Sequence, residues 1–88
     1  MSLNTLQDVV LIVDDDPVIR ILMRRALSHS VGNIIEASSG EEAIQLFSEH
    51  TPDLILLDVS MDKMNGFECC SVIRSLPEGD NVAIIMVT

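Results

Sequence analysis

The 88-residue sequence predicts an α/β domain, a parallel sheet doubly wound so that helices cover both of its faces. Three observations carry that expectation. Val9–Val13, Leu54–Leu57 and Val82–Val87 are unbroken apolar runs of strand length, which suits strands buried on both sides. Between them lie stretches with apolar residues at helical spacing, opened by capping residues. The connections are short, so each strand feeds a helix and then a parallel strand through a right-handed crossover. The expected order is β-α-β-α-β-α-β in one domain, without internal repeat or linker.

The first strand ends in Asp14-Asp15-Asp16-Pro17. Aspartate suits the cap before a helix and proline its first position, so Asp16-Pro17 reads as a helix start. Ile19, Leu22, Met23, Ala26 and Leu27 then form one apolar stripe, with Arg20, Arg24 and Arg25 mostly on the other face. His29 and His50 fall at the ends of the first and second helices, where an imidazole interacts well with terminal carbonyls. They read as caps or surface residues, not as metal ligands.

Gly32-Asn33 is a turn and Asn33–Ala37 a short strand near the sheet edge. Ser38-Ser39-Gly40-Glu41-Glu42 opens the second helix, with capping hydroxyls followed by acids where the helix dipole favours them. Its inward face is Ala43, Ile44 and Phe47, and Thr51-Pro52 stops it. The strand Leu54–Leu57 ends on Asp58 and breaks into a loop that closes at Asn65-Gly66. A third helix runs over about residues 67–76, with Phe67, Cys70 and Ile73 spaced to face inward. Pro77-Glu78-Gly79-Asp80 is a turn, and the last apolar run, Val82–Val87, leads to Thr88.

Composition narrows the function classes. The chain is 48% hydrophobic, enough for a core. Its only aromatic residues are two phenylalanines, too few for a base-stacking platform. Fourteen acidic against five basic residues give a net charge of −9, which repels phosphate backbones and anionic membrane surfaces. Direct nucleic acid contact is therefore not expected. No apolar run approaches the ~18 residues of a membrane span, and Met1–Asp8 has neither a basic region nor an apolar signal core. The expected location is cytoplasmic. Cys69 and Cys70 are adjacent, with Cα atoms ~3.8 Å apart, closer than an ordinary disulfide prefers. They read as free thiols of a reducing compartment, serving as small packing residues on a helix.

In a parallel sheet the carboxyl ends of all strands share one rim. The first strand delivers Asp14, Asp15 and Asp16 there, the third Asp58 and the fourth Thr88. If the first and third strands are neighbours, the crevice between them is the switch point where doubly wound sheets bind ligands. Carboxylates gathered there repel one another, and a hard divalent cation neutralises them; Mg2+ fits best.

Several segments together resemble the receiver domain of two-component response regulators. Val13-Asp14-Asp15-Asp16-Pro17 resembles the family's acidic pocket, and Pro52-Asp53-Leu54-Ile55-Leu56-Leu57-Asp58 its phosphoacceptor strand. Met64-Asn65-Gly66-Phe67-Glu68 resembles the turn into its third helix, and Ile84-Ile85-Met86-Val87-Thr88 its fourth strand with the switch hydroxyl. The resemblance implies a flavodoxin-like sheet of strand order 2-1-3-4. It implies that Asp58 accepts a phosphoryl group from a sensor histidine kinase or phosphotransfer protein. Asp15 then ligates Mg2+ directly and Asp14 through water, while Asp58 and the backbone carbonyl of Ser60 complete the protein ligands. Thr88 is implied to hydrogen-bond a phosphoryl oxygen and relay the change to an output domain or partner.

Two features depart from the family pattern. Asp62 stands where the family usually has proline, which frees a loop φ angle and adds a charge near the metal. The sequence also stops before the family's fifth strand, with its lysine, and its last two helices. Residues 1–88 thus read as the N-terminal portion of a receiver (strands 1–4, helices 1–3), and the native protein is expected to continue. Lys63 lies in the active-site loop but does not substitute in position for that lysine. An apolar strand at 82–87 left at an edge invites pairing with another chain, so a dimer or strand exchange is expected.

Two other functions compete. An aspartate-nucleophile phosphohydrolase needs a second Asp two residues after the nucleophile, where this chain has Ser60. A pseudo-receiver keeps the fold as a binding module without being phosphorylated; Asp62 and the absent lysine favour it, and the acidic cluster with Thr88 opposes it. A dinucleotide-binding domain fails for want of Gly-x-Gly-x-x-Gly after the first strand.

Overall fold

The computed structural model describes residues 8–88; residues 1–7, most of the stretch read above for a signal sequence, lie outside them. The elements are β1 (Val9–Val13), α1 (Pro17–Leu27), β2 (Asn33–Ala37), α2 (Gly40–His50), β3 (Leu54–Asp58), α3 (Gly66–Arg74) and β4 (Ala83–Val87). The strands form one parallel sheet in the order β2-β1-β3-β4. That is the expected fold class and strand order. β1 lies in the middle, paired with β2 from Val9 opposite Asn33 to Val13 opposite Ala37, and with β3 from Val10 opposite Leu54 to Val13 opposite Leu57.

Side chains alternate across the sheet, so odd and even positions of one apolar run feed two different cores. Leu11, Val13, Ala37, Ile55 and Leu57 meet Ala43 and Phe47 of α2 and Cys69 and Ile73 of α3. Val10, Ile12 and Leu54 meet Val31, with Met23 and Leu27 of α1 packed against them. This is why the strands read as continuous hydrophobic runs.

Asp53 aligns the amino ends of three strands. Its carboxylate accepts from the Val9 N–H at 2.8 Å, its N–H donates to the Val9 carbonyl at 2.8 Å, and its carbonyl accepts from the Ala83 N–H at 3.2 Å. Arg74 holds the turn into β4, donating to the carbonyls of Gly79 and Val82, both at 2.7 Å.

The structure corrects the expected inward face of α3 and refines two other readings. The two faces are not equally covered: α1 is the one helix on its side among the described residues. There Leu22 stays 55% and Ile85 52% exposed, so the apolar stripe of α1 is only half used. On α3 the inward face is Gly66, Cys69 and Ile73, while Phe67 is 64% exposed and Cys70 half-buried. Small residues occupy that face because α3 approaches α2 closely; the Cys69 thiol lies 3.7 Å from the Gly40 carbonyl. An aromatic ring does not fit there. Of the two readings for the histidines, surface residue holds and C-cap does not. Ser28 and Thr51 take those positions, Thr51 with a left-handed φ of 43° and its N–H on the Phe47 carbonyl, and His29 and His50 are exposed.

Candidate functional site

The chain leaves β1 towards β2 on one side and returns to β3 on the other, so the strand order reverses between β1 and β3. Loops leaving those two strands part, opening a crevice at their carboxyl ends. Asp14 follows the last residue of β1 and Asp58 is the last residue of β3.

Asp14 is buried and fixed through its backbone and its carboxylate. Its N–H donates to the Ala37 carbonyl at 3.1 Å, continuing the ladder between β1 and β2. Its carbonyl accepts from Arg20 Nη1 at 2.6 Å, and its Oδ1 accepts from the Asp16 N–H at 2.9 Å. Burial pushes the Asp14 carboxyl above the ordinary aspartate range; the charges of Asp58, Asp15 and Asp16 push the same way, and the Asp16 N–H opposes them. Asp16 is the N-cap of α1, its carboxylate accepting from the Val18 N–H at 2.9 Å. The Asp run thus divides its labour between helix initiation and the crevice.

Carboxylate oxygens of Asp14, Asp15 and Asp58 all lie within 4.8 Å of one another. The strand-end loops that bring them together are firmly built. The Ser60 N–H donates to Asp58 Oδ1 at 3.1 Å, folding the start of the β3–α3 loop back on the carboxylate. The Val59 N–H donates to the Val87 carbonyl at 3.0 Å, carrying the pairing of β3 and β4 past Asp58. Asn65 caps α3 reciprocally with Glu68, in bonds of 2.9 and 3.0 Å. Gly66 then donates to the Val59 carbonyl at 2.9 Å, and a Cβ there would stand 2.9 Å from the Val59 Cα and run into the Asp58 carbonyl. Gly66 is therefore the first residue of α3, required by close approach and not by a left-handed turn.

Thr88 joins Asp14, Asp15, Asp16, Ile19, Asp58 and Val87 around a cleft of about 420 Å3. Asp62 and Lys63 line a separate cleft of about 460 Å3 with Asp15, Ser38, Ser39, Glu41 and Met61. Both are exposed, and Lys63 has a left-handed φ of 64°. The structure thus gathers Asp14, Asp15, Asp58 and Thr88 at one cleft and ties Ser60 to it by its N–H. The two clefts share Asp15 in their linings.

Three convergent carboxylates make a hard, all-oxygen donor set that suits Mg2+, which binds through a few carboxylates and keeps several waters. Sequence reasoning missed two parts of the site. Gly66 announced a turn but gave no sign of close approach, and Arg20 lay off the apolar stripe of its helix. An Arg of α1 opposite Glu36 of β2 becomes visible only once the two elements are neighbours.

The response regulator receiver domain family matches residues 10–88. Response regulator MprA of Mycobacterium sp. (strain KMS) is 38% identical over 79 residues, 90% of this chain and 34% of its own length. The chain thus spans about a third of that relative. Among solved structures, the N-terminal domain of a response regulator receiver protein from Methanoculleus marisnigri superposes with a TM-score of 0.85 at 34% identity, covering 91% of this chain and 65% of that one. The receiver domain of the histidine kinase CKI1 from Arabidopsis thaliana, complexed with Mg2+, superposes with a TM-score of 0.83 at 28% identity, covering 92% of this chain and 67% of that one. With its sheet order, its rim of carboxylates and these matches, the chain belongs to the response regulator receiver domain family.

Proposed function

We propose that this chain is the N-terminal portion of a phosphorylation-dependent signalling switch in which Asp58 is the phosphoacceptor. The observation that carries the reading is the convergence of Asp14, Asp15 and Asp58 within 4.8 Å, on the cleft that Thr88 also lines. The donor is a sensor histidine kinase or a phosphotransfer protein. An Asp58 oxygen forms a bond to phosphorus as the phosphorus–nitrogen bond to the donor's histidine breaks, with the electron pair returning to the donor. Asp58 is left as an acyl phosphate.

Phosphoryl transfer asks a protein chiefly for positioning and for charge neutralisation. Positioning comes from the Ser60 N–H on Asp58 Oδ1 and from the paired ends of β3 and β4. Asp15, Asp14, Asp58 and the Ser60 carbonyl are the proposed Mg2+ ligands, Asp14 through water. When bound, Mg2+ offsets the repulsion between the carboxylate nucleophile and the incoming phosphoryl group. Thr88 supplies a hydroxyl for a phosphoryl oxygen, and its shift towards that oxygen is the proposed signal to an output domain or partner. Ser60 stands where a hydrolase would hold its general acid, so the chain is read as a signalling domain, not as a phosphohydrolase. Among the described residues no helix is long and apolar enough to cross a membrane.

Intact-mass analysis after incubation with Mg2+ and a small acyl-phosphate donor tests the reading. Addition of one phosphoryl group, lost in Asp58→Asn, is the expected result. A folded, Mg2+-binding protein that stays unmodified is a pseudo-receiver instead.

A self-association is proposed as well. β4 pairs with β3 alone among the described strands, and Ile85 is half exposed. An apolar strand at a sheet edge is a template for another chain. Light scattering over a concentration series is expected to show a dimer; a monomeric mass at the highest concentration sinks the idea.

A further inference from the structure

We infer that Arg20 is a positioning residue of the acidic pocket, clamping the loop after β1 so that Asp14 and Asp15 face Asp58. This rests on the proposal that those carboxylates hold Mg2+. Arg20 projects from the first turns of α1, yet its guanidinium turns back towards the sheet and its side chain is only 18% exposed. Its Nη1 donates to the Asp14 carbonyl at 2.6 Å and its Nε to Glu36 Oε1 at 3.1 Å. Glu36 is held in turn from α1, because its Oε2 accepts from Arg24 Nε at 2.7 Å. Arg24 also donates from Nη2 to the Ile34 carbonyl at 3.1 Å. The result is a chain of contacts from β2 through Glu36 and Arg20 to the backbone of the first pocket residue.

Other bonds hold this loop too, the Asp16 N–H on Asp14 Oδ1 and the Asp16 carboxylate on the Val18 N–H, but Arg20 is the side chain that ties the Asp14 carbonyl to β2 through Glu36. On the Asp14 backbone, the Ala37 carbonyl holds the N–H and Arg20 holds the carbonyl, fixing the two ends of one residue. That carbonyl belongs to the peptide leading into Asp15. Its orientation therefore sets where the Asp15 side chain emerges. A guanidinium can reach two acceptors in different directions with its fork, which an ammonium on a flexible stem does not reproduce. Groups behind metal ligands that orient them typically matter by about 10–100-fold in metal affinity.

Arg24 supplies the control. It shares Glu36 with Arg20 and bonds β2, but its hydrogen bonds stop short of the pocket loop. Mg2+ titration by calorimetry on the full chain, with Arg20→Ala, Arg20→Lys, Arg24→Ala and Asp15→Asn, separates positioning from general stability. Arg20→Ala is expected to weaken Mg2+ binding roughly tenfold. Arg20→Lys is expected not to restore it, and Arg24→Ala to leave it unchanged even where it lowers the melting temperature. In metal-free protein, the amide resonances of residues 14–16 are expected to move in Arg20→Ala and to stay in place in Arg24→Ala. Wild-type affinity in Arg20→Ala, or full rescue by lysine, overturns the clamp while leaving the Mg2+ site intact. If the wild type itself shows no Mg2+ binding that Asp15→Asn removes, the site reading fails, and the amide resonances still decide whether Arg20 holds the loop.

Discussion

Gly66 stands so close to Asp58 that a single methyl group on it would run into the Asp58 carbonyl and crowd the Val59 Cα at 2.9 Å. The obstacle is backbone on the same loop that delivers the candidate phosphoacceptor, not the flexible end of a side chain. Gly66→Ala must push α3 and the end of β3 apart. A destabilisation of about 1–3 kcal/mol is expected, as for overpacked cores, measured by urea unfolding. Acyl-phosphate labelling of Asp58 is expected to slow in the folded fraction, because the displaced carbonyl carries its own side chain along.

Mg2+ is expected to stabilise the fold. Three carboxylates share one cleft, and burial already disfavours the charged form of Asp14. A ligand that binds only the folded state stabilises it by about 2.7 kcal/mol at roughly a hundredfold excess over its dissociation constant. Thermal melts with and without Mg2+ should show that gain in the wild type and lose it in Asp15→Asn. An equal gain in both proteins would place the ion elsewhere.

Ile73 and Phe67 are expected to exchange the importance that their sizes suggest. Ile73 is fully buried between α3 and the sheet, whereas Phe67 is mostly exposed. Ile73→Ala should cost about 2–5 kcal/mol through the cavity it leaves. Phe67→Ala should stay within about 0.5 kcal/mol. Denaturant titrations of the two variants decide between this arrangement and one in which the aromatic ring lies in the core.

Those two residues mark how far the sequence was legible. Strands and helix starts were readable because their signals are local: apolar runs, Asp16 before Pro17, and Ser39 whose hydroxyl accepts from the Glu42 N–H. The acidic rim was readable because parallel strands bring their carboxyl ends together whatever their order. That β1 lies beside β3, so that Asp14 meets Asp58, follows from the family resemblance and from no local signal. On α3, hydrophobicity points to Phe67 for the inward face, whereas the closeness of α2 favours the small Gly66 and Cys69. Helical period alone points Arg20 outward, but a long side chain can leave one face and finish on another.

The adjacent cysteines should react at very different rates. Burial, helped by the neighbouring Cys70 and by Glu41, pushes the Cys69 thiol up to about 11, and the residue is fully buried. Cys70 is partly accessible. Since the thiolate is the reactive form, alkylation of the folded protein at mildly alkaline pH should modify Cys70 first and Cys69 only on unfolding. Peptide mapping checks this; simultaneous labelling of both would contradict the packing of α3.

Glu36 gives the stability a pH dependence of known sign. The hydrogen bond from Arg24 holds its carboxyl below the ordinary glutamate value of 4.5, with burial opposing and the bond from Arg20 adding to the lowering. The unfolded chain therefore binds this proton at higher pH than the folded one. The contribution of Glu36 is fully present above pH 4.5 and is lost as the pH falls through its lower folded value. Glu36→Gln removes that contribution at every pH. The urea midpoints of wild type and variant should thus differ most near neutrality and converge on acidification below 4.5. A gap that stays constant across that window would mean that Glu36 contributes through packing and not through its charge on Arg20 and Arg24.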